Sequence, residues 1–289
     1  MKDLAGKTAF ITGGGSGVAL GQAKAFAAAG MKIVIADIRR DHLDSAVAWF
    51  KEKGLPIHGI PLDITDRKAY AAAADEAEKT FGPVQLLCNT AGVSQFGPVQ
   101  QATYDDWDWQ MSVNLGGMIN GIQTFIPRML KHGLGAHIVN TASMAGFLPL
   151  PGCAIYCTTK FAVRGLSECL QLDLAPQGIG VSVLCPGAVN TNIHEAVLTR
   201  PNHLARWGLR TDDILELLDE LAQICTPVAF DYRWRPTGAD NDDEMVIETA
   251  INGHADALAT FNLRDMRDAG ARFGFRAERP GPLVRRLRQ

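Results

Sequence analysis

The sequence predicts a doubly wound α/β fold on a parallel sheet. Three observations carry that prediction. Short apolar β-rich runs alternate with amphipathic helical stretches as far as Thr191; a glycine cluster joins the first strand to the first helix; and the composition is that of an ordinary globular chain. Strands covered by helices on both faces lose their polar alternation and read as continuous apolar runs. Of the 289 residues, 47% are hydrophobic and 20% charged, and the formal net charge is −3. Such values exclude disorder and coiled coil. The near-balanced charge gives no electrostatic pull toward nucleic acid or an anionic membrane, so neither is expected as a partner. An enzyme or small-molecule binder remains.

The elements follow in order. Strands are predicted at Thr8–Ile11, Ile33–Ala36, Ile57–Ile60, Val84–Cys88, His137–Thr141 and Val181–Cys185, and helices at Val18–Ala29, Asp41–Lys53, Arg67–Thr80, Tyr104–Lys131 and Ala154–Gln177. The short connections suit right-handed β-α-β units. After Thr191 the rhythm breaks. Residues 192–240, with one helix-like stretch at Asp212–Ile224, are expected to form a substrate lid. Asp242–Asn252 reads as a helix and Ala257–Phe261 as a last short strand. Residues 276–289, with Arg279, Arg285, Arg286 and Arg288 beside Pro280 and Pro282, read as a basic tail, either solvated or a subunit-contact arm. With no linker, low-complexity tract or solenoid-period repeat, residues 1–289 are expected to form a single domain.

Six scattered cysteines (Cys88, Cys153, Cys157, Cys169, Cys185 and Cys225) form no C-x-x-C pair and lack zinc-site spacing. They read as buried free thiols, with no metal site, in a reduced cytoplasm. The N-terminal residues carry no signal-peptide apolar core. From His132 to Thr159 there is no Lys, Arg, Asp or Glu. A membrane span needs about 20 predominantly apolar residues, and this run holds Asn140, Thr141, Ser143, Pro149 and Pro151, so it reads as a buried strand, a loop and a helix start.

Three groups carry chemistry. Thr12-Gly13-Gly14-Gly15-Ser16-Gly17 lies between the first strand and first helix. Glycines there let the backbone turn sharply and approach a pyrophosphate seated on helix N–H groups, as in Rossmann-type sheets. Asp37 ends the second strand, where a carboxylate accepts the hydroxyls of an adenosine ribose and repels a 2′-phosphate. With Ile38 next to it, NAD is favoured over NADP, although Arg39 and Arg40 are close enough in sequence to serve a 2′-phosphate. Tyr156 and Lys160 stand four apart on one helix face. An ammonium beside a phenol favours the phenolate and lowers its pKa, which suits a general acid/base for an alcohol–ketone pair. Ser143, at the end of the preceding strand, is placed to hold the substrate oxygen. His137 and His194 lack Ser and Asp partners at triad-like positions.

With these motifs in this order, the chain from Leu4 to Phe261 resembles the short-chain dehydrogenase/reductase family. The resemblance rests on Thr12-Gly13-x-x-x-Gly17, Asp63, Asn89-Thr90-Ala91-Gly92, Asn114, Ser143, Tyr156-x-x-x-Lys160 and Pro186-Gly187-x-Val189-x-Thr191. Within it, Ile35-Ala-Asp-Ile-Arg, Thr103-Tyr-Asp-Asp-Trp and Asn192-Ile-His-Glu are similar to the Cα-dehydrogenases, bacterial enzymes that oxidise the benzylic alcohol of lignin-derived aryl ethers. The resemblance implies Tyr156 as general acid/base, Ser143 polarising the carbonyl oxygen, Lys160 on the nicotinamide ribose, and Asn114 holding a relay water. It implies cofactor contacts at Gly13, Ser16, Gly17, Val18, Asp37 and Ile38. Asp63 and Ile64 would flank the adenine and Asn89, Ala91 and Gly92 line the cofactor, while Pro186, Gly187, Val189 and Thr191 would meet the nicotinamide. Two positions depart from the pattern: Ala19 stands where a third glycine is usual, and Thr90 where a second asparagine is.

The expectation is an NAD-dependent dehydrogenase interconverting a secondary alcohol and a ketone, with a bulky aromatic substrate against Phe96, Met144, Phe147, Leu148, Leu150 and Trp207. The alternatives are a 3-oxoacyl-thioester or steroid-type ketone reductase, and a nucleotide-sensing regulator that kept the fold without catalysis. The long helices Tyr104–Lys131 and Ala154–Gln177 would pair in a homodimer or homotetramer.

Overall fold

The computed structural model describes residues 3–187, 189, 191–201, 257–259, 271 and 276–278. The predicted helices Asp212–Ile224 and Asp242–Asn252, most of the lid with Trp207, His194's side chain, and the tail beyond 278 lie outside the described residues. The chain divides into two compact units, Met1–Leu217 and Leu218–Gln289.

In the first unit, β1 (Thr8–Thr12), β2 (Lys32–Asp37), β3 (Ile57–Pro61), β4 (Val84–Asn89), β5 (Ala136–Thr141) and β6 (Ile179–Leu184) form one parallel sheet in the order β3-β2-β1-β4-β5-β6. The order reverses between β1 and β4, and such a switch point opens a ligand crevice at the carboxyl ends of the strands. The period of two sorts β1 onto two cores. Phe10 packs with Tyr70, Leu87, Phe125 and Met129, whereas Ala9 and Ile11 pack with Ile33, Ile35 and Phe50. Helices α1 (Gly17–Ala28) and α2 (Arg40–Glu52) cover the second face. The first is covered by α3 (Arg67–Phe81), α5 (Met118–His132) and α6 (Ala154–Leu174). All five residues of β1 are buried, which is why it reads as an unbroken apolar run.

The predicted long helix Tyr104–Lys131 is corrected: α4 (Tyr104–Met111) and α5 are joined by a π-helical stretch, Ser112–Gly117. A π-turn widens the helix by one residue and turns a side chain inward, and here that side chain is Asn114, 3% exposed. The thiols also differ from expectation. Cys88, Cys153 and Cys157 are buried and free, but Cys169 is exposed and Cys185 half-buried. The outward face of α6 carries Cys169, so helical phase rather than apolar neighbours decides its exposure.

In the second unit, β7 (Ala257–Ala259) pairs in parallel with β8 (Arg276–Glu278) as a separate two-stranded sheet. The first residues of the segment read as a tail are thus strand. Among the described residues, no helix is long and apolar enough to cross a membrane.

Candidate active site

The turn after β1 brings three backbones together. Gly13 has φ +71, and its N–H and that of Gly14 donate to the Ala36 carbonyl at 2.8 and 3.2 Å. A Cβ on Gly13 would lie 2.9 Å from Ala91 Cα, and one on Gly15 would lie 2.9 Å from both Asp37 Oδ2 and His42 Cβ. Only backbone fits there. The resulting cradle leads into α1, whose first-turn N–H groups attract an anion. Ser16 is the N-cap, yet its hydroxyl makes no capping bond to α1. Val18 is half-buried, and Ala19 is 3% exposed in the core behind it, so the methyl replacing the usual third glycine is accommodated. These features fit a dinucleotide pyrophosphate.

Asp37 is 9% exposed at the end of β2. Its Oδ2 accepts from Gly15 N and its Oδ1 from Arg39 N, both at 2.9 Å. Each carboxylate oxygen has a further lone pair for a ribose hydroxyl. Ile38 is exposed beside it. Asp63 is exposed and held in a local turn, Oδ1 accepting from Thr65 N and Oγ1 at 2.9 and 2.7 Å. Ile64 turns its side chain into the core and offers only backbone to the groove.

Polar side chains brace the floor beyond β4. Thr12 Oγ1 donates to the Cys88 carbonyl at 3.3 Å and accepts from Thr90 N and Ala91 N. Asn89 Nδ2 donates to Asn140 Oδ1 at 2.9 Å, and Asn140 Nδ2 to Ser167 Oγ at 3.0 Å, tying β4, β5 and α6 inside the core. Thr90 is satisfied through Gln22 Oε1 at 2.7 Å and Thr141 Oγ1 at 3.0 Å, so its replacement of asparagine leaves no unmade bond. Gly92 faces Asn114 and Lys160: a Cβ there would lie 3.2 Å from Asn114 Oδ1 and 3.5 Å from Lys160 Nζ. Asn114 clamps the strand end, accepting from Val93 N at 2.8 Å and donating to Val93 O at 2.9 Å and Thr159 Oγ1 at 3.1 Å.

At the carboxyl end of β5, Ser143 Oγ accepts from Ala145 N at 3.1 Å and its hydroxyl acts on the nearby Tyr156 phenol. Burial pushes the Tyr156 phenol up to about 12, and the Ser143 hydroxyl pulls it the other way. Lys160, one turn further along α6, is 4% exposed; burial pulls its ammonium down to about 8. Its Nζ donates to the Thr141 carbonyl at 3.0 Å and stands 5.4 Å from the Tyr156 ring centroid. Thr141 as that acceptor was missed by the sequence, which shows the i, i+4 spacing but not where a backbone carbonyl ends up. Pro186 O accepts from Met144 N at 2.9 Å, and Gly187 and Val189 are exposed. Thr191 caps the 3-10 stretch Asn192–Thr199 and lies beside Gly17, whose added Cβ would be 3.2 Å from Thr191 Cβ. Most of the described expected residues therefore gather along the carboxyl edge of the sheet.

Also missed was a buried polar cluster behind this edge. Arg200, 6% exposed, pairs with the fully buried Asp106 at 2.5 Å, hydrogen-bonds Gln95 Oε1, and lies 5.2 Å over the Trp109 ring. The sequence signal that could have found Asp106 is its place in a Thr103-x-x-Asp106 capping box, which the structure contains. Nothing in sequence pointed to Arg200. Among the described residues, no group of three or more His, Cys, Asp or Glu is placed to hold a metal.

A parallel sheet with a glycine cradle at its switch point and a Ser–Tyr–Lys cluster beside it defines a nucleotide-dependent dehydrogenase. Residues 7–202 match the family model for short chain dehydrogenase, and the chain belongs to that family. It is 50% identical over 209 residues to a C alpha-dehydrogenase of Sphingobium sp. (strain NBRC 103272 / SYK-6), covering 72% of this chain and 68% of that protein. Among solved structures, it is similar to the apo form of LigO from Sphingobium sp. strain SYK-6, at 46% identity and TM-score 0.64 over 100% of this chain and 98% of that one. It is also similar to a short chain dehydrogenase/reductase from Burkholderia phymatum in complex with NAD, at 32% identity and TM-score 0.73, over 100% and 94%. A PIN domain model matches residues 181–264, but it begins inside β6, which is hydrogen-bonded into the dehydrogenase sheet. The chain is an oxidoreductase acting on CH–OH groups with a nicotinamide cofactor.

Proposed function

We propose that this enzyme is an NAD-dependent dehydrogenase of bulky benzylic secondary alcohols of the lignin-derived aryl ether type, with Tyr156 as its general acid/base. The observation that carries the reading is the buried Lys160 one turn along α6 from Tyr156, its Nζ 5.4 Å from the Tyr156 ring centroid, with the Ser143 hydroxyl acting on the same phenol. In alcohol oxidation the Tyr156 oxygen takes the hydroxyl proton, and in ketone reduction it returns it. Ser143 donates to the substrate oxygen and so fixes the reacting carbon and stabilises charge on that oxygen. Lys160, while protonated, favours the phenolate and would hold the nicotinamide ribose of a bound cofactor. Asn114 keeps Val93 and Thr159, on either side of the site, in register. The nicotinamide, when bound, takes up or returns the hydride. Asp37 would accept both adenosine ribose hydroxyls and repel a 2′-phosphate, which favours NAD.

An aromatic substrate is supported by the apolar wall that follows Ser143. Met144, Phe147, Leu148 and Leu150 are all exposed. Exposed apolar side chains in a contiguous run mark a binding surface. Phe96 stands 6.3 Å from Tyr156 between ring centroids, so an aryl ring can stack beside the reacting phenol. Exposed Leu130 on α5, and Phe161 and Leu172 on α6, support pairing of these helices across a two-fold in a homodimer or homotetramer.

Turnover of an arylglycerol ether alcohol with NAD, compared with NADP and with 3-oxoacyl thioesters, tests substrate and cofactor; faster thioester reduction overturns the substrate reading. Tyr156→Phe is expected to cut turnover at least 10²-fold, on the order of a general acid/base contribution, while NAD affinity holds. Retained turnover would sink the mechanism.

A further inference from the structure

Arg39 and Glu195 approach each other from two sides of the glycine loop. Arg39 follows Asp37 at the end of β2, beside Gly15. Glu195 lies in the 3-10 stretch Asn192–Thr199, whose cap Thr191 sits beside Gly17. They are 156 positions apart in sequence, so no local geometry imposes their contact.

In the structure the Arg39 guanidinium is taken on each of its nitrogens. Nε donates to Asp41 Oδ1 at 2.9 Å, Nη2 to Asp41 Oδ2 at 2.6 Å, and Nη1 to Glu195 Oε2 at 3.3 Å. His42 Nε2 stands 3.8 Å from the same Glu195 oxygen and 3.9 Å from Asp41 Oδ2. The hydrogen bond between Arg39 and Asp41 drives their pKa values apart, raising the guanidinium and holding the carboxyl well below its ordinary value. Partly exposed ion pairs of this kind contribute little stability. What matters is where they leave the fork. A guanidinium recognises a phosphate by presenting two parallel N–H groups. Here those groups face carboxylates, and a third carboxylate, Asp37, lies two residues away.

We infer that Glu195 is a cofactor-discriminating residue: with Asp41 on Nε and Nη2, it takes Nη1, the remaining nitrogen, and so denies the Nη1/Nη2 fork of Arg39 to a ribose 2′-phosphate while tying the 3-10 stretch Asn192–Thr199 to the adenosine end of the groove. Asp37 is the familiar determinant at this end. Glu195 acts from the opposite segment, by occupying the base that would otherwise serve NADP. The inference rests on the NAD reading above.

The test titrates the full-length protein with 5′-ADP and 2′,5′-ADP by calorimetry and takes the ratio of the two dissociation constants. Wild type, Glu195→Gln and Arg39→Gln/Glu195→Gln are compared, each in the native and the Asp37→Ala background. Releasing the fork is expected to improve the ratio for 2′,5′-ADP about five- to tenfold in Glu195→Gln, the scale of one hydrogen bond to a charged group. The double variant should lose that gain. An unchanged ratio in both backgrounds overturns the clasp, as does a gain that survives loss of Arg39. The wild-type ratio judges the cofactor reading separately: preference for 2′,5′-ADP there overturns NAD specificity, while the response to Glu195→Gln still decides the clasp.

Discussion

Tyr156 sits between opposing influences. Burial raises its phenol toward about 12, which opposes the proposed service as a base, and the neighbouring Ser143 hydroxyl lowers it. Under the proposed mechanism the phenolate is the active form in alcohol oxidation, so kcat/KM should rise with pH through this pKa and ketone reduction should fall. Removing the hydroxyl that lowers the pKa moves that limb alkaline. Ser143→Ala is therefore expected to shift the rising limb of the oxidation profile to higher pH, beyond lowering its plateau. A limb that stays in place, or moves acid, contradicts the coupling. The Tyr156-x-x-x-Lys160 spacing and the strand-end Ser143 were legible because helix period and strand end alone place them. The Thr141 carbonyl under Lys160 was not, since it depends on how α6 lies against β5.

At the scale of elements, the strands and most helices were legible, because burial on both faces and a 3.6 period leave direct marks on composition. The π-turn left only the Gly116-Gly117 pair, which marks a weak spot in the helix without saying what it becomes. The bonds that hold Asn114 inward, to Val93 and Thr159, come from segments that meet it only in the folded chain. The two adjacent glycines in this stretch then have different tasks. A Cβ on Gly117 would stand 2.2 Å from Ile64 Cδ1, whereas one on Gly116 would meet nothing nearer than the Met111 carbonyl at 3.6 Å. Gly117→Ala is expected to destabilise by about 1–3 kcal/mol, the usual cost of overpacking. Gly116→Ala should be neutral or stabilising by up to about 1 kcal/mol, since alanine suits a helix better. Denaturant midpoints would separate the two; equal effects would mean Ile64 moves aside freely.

Across the first unit, Arg200, just past the 3-10 stretch Asn192–Thr199, reaches back about a hundred residues to the Gln95 loop and the start of α4. Burial pushes the Asp106 carboxyl up, but hydrogen bonds from the Thr103 side chain and backbone and the paired Arg200 charge outweigh it and hold the pKa below its ordinary value. A group so lowered adds stability above the unfolded carboxylate value, about 3.9, and that stability is lost as pH falls through the folded one. Arg200→Met leaves a buried carboxylate without its cation, which costs about 3–5 kcal/mol. Denaturant unfolding at neutral pH would read the loss. The variant should also lose less stability on acidification than wild type; a change under about 1 kcal/mol, within the range of exposed pairs, would show that the pair contributes no more than a surface contact.

By itself the sequence determined the alternation of strands and helices, the glycine turn, Asp37 at the end of its strand, and the Ser143, Tyr156 and Lys160 set. Each is local, written in periodicity, spacing or the backbone freedom of glycine. Tertiary structure decided that Asn114 turns inward, that Cys169 faces outward, that Asp106 is buried against Arg200, and that Arg39 is held by Glu195. Those features depend on which segments meet after the sheet closes. The side chains involved are ordinary until packing strips water from them and leaves one another as their nearest charges.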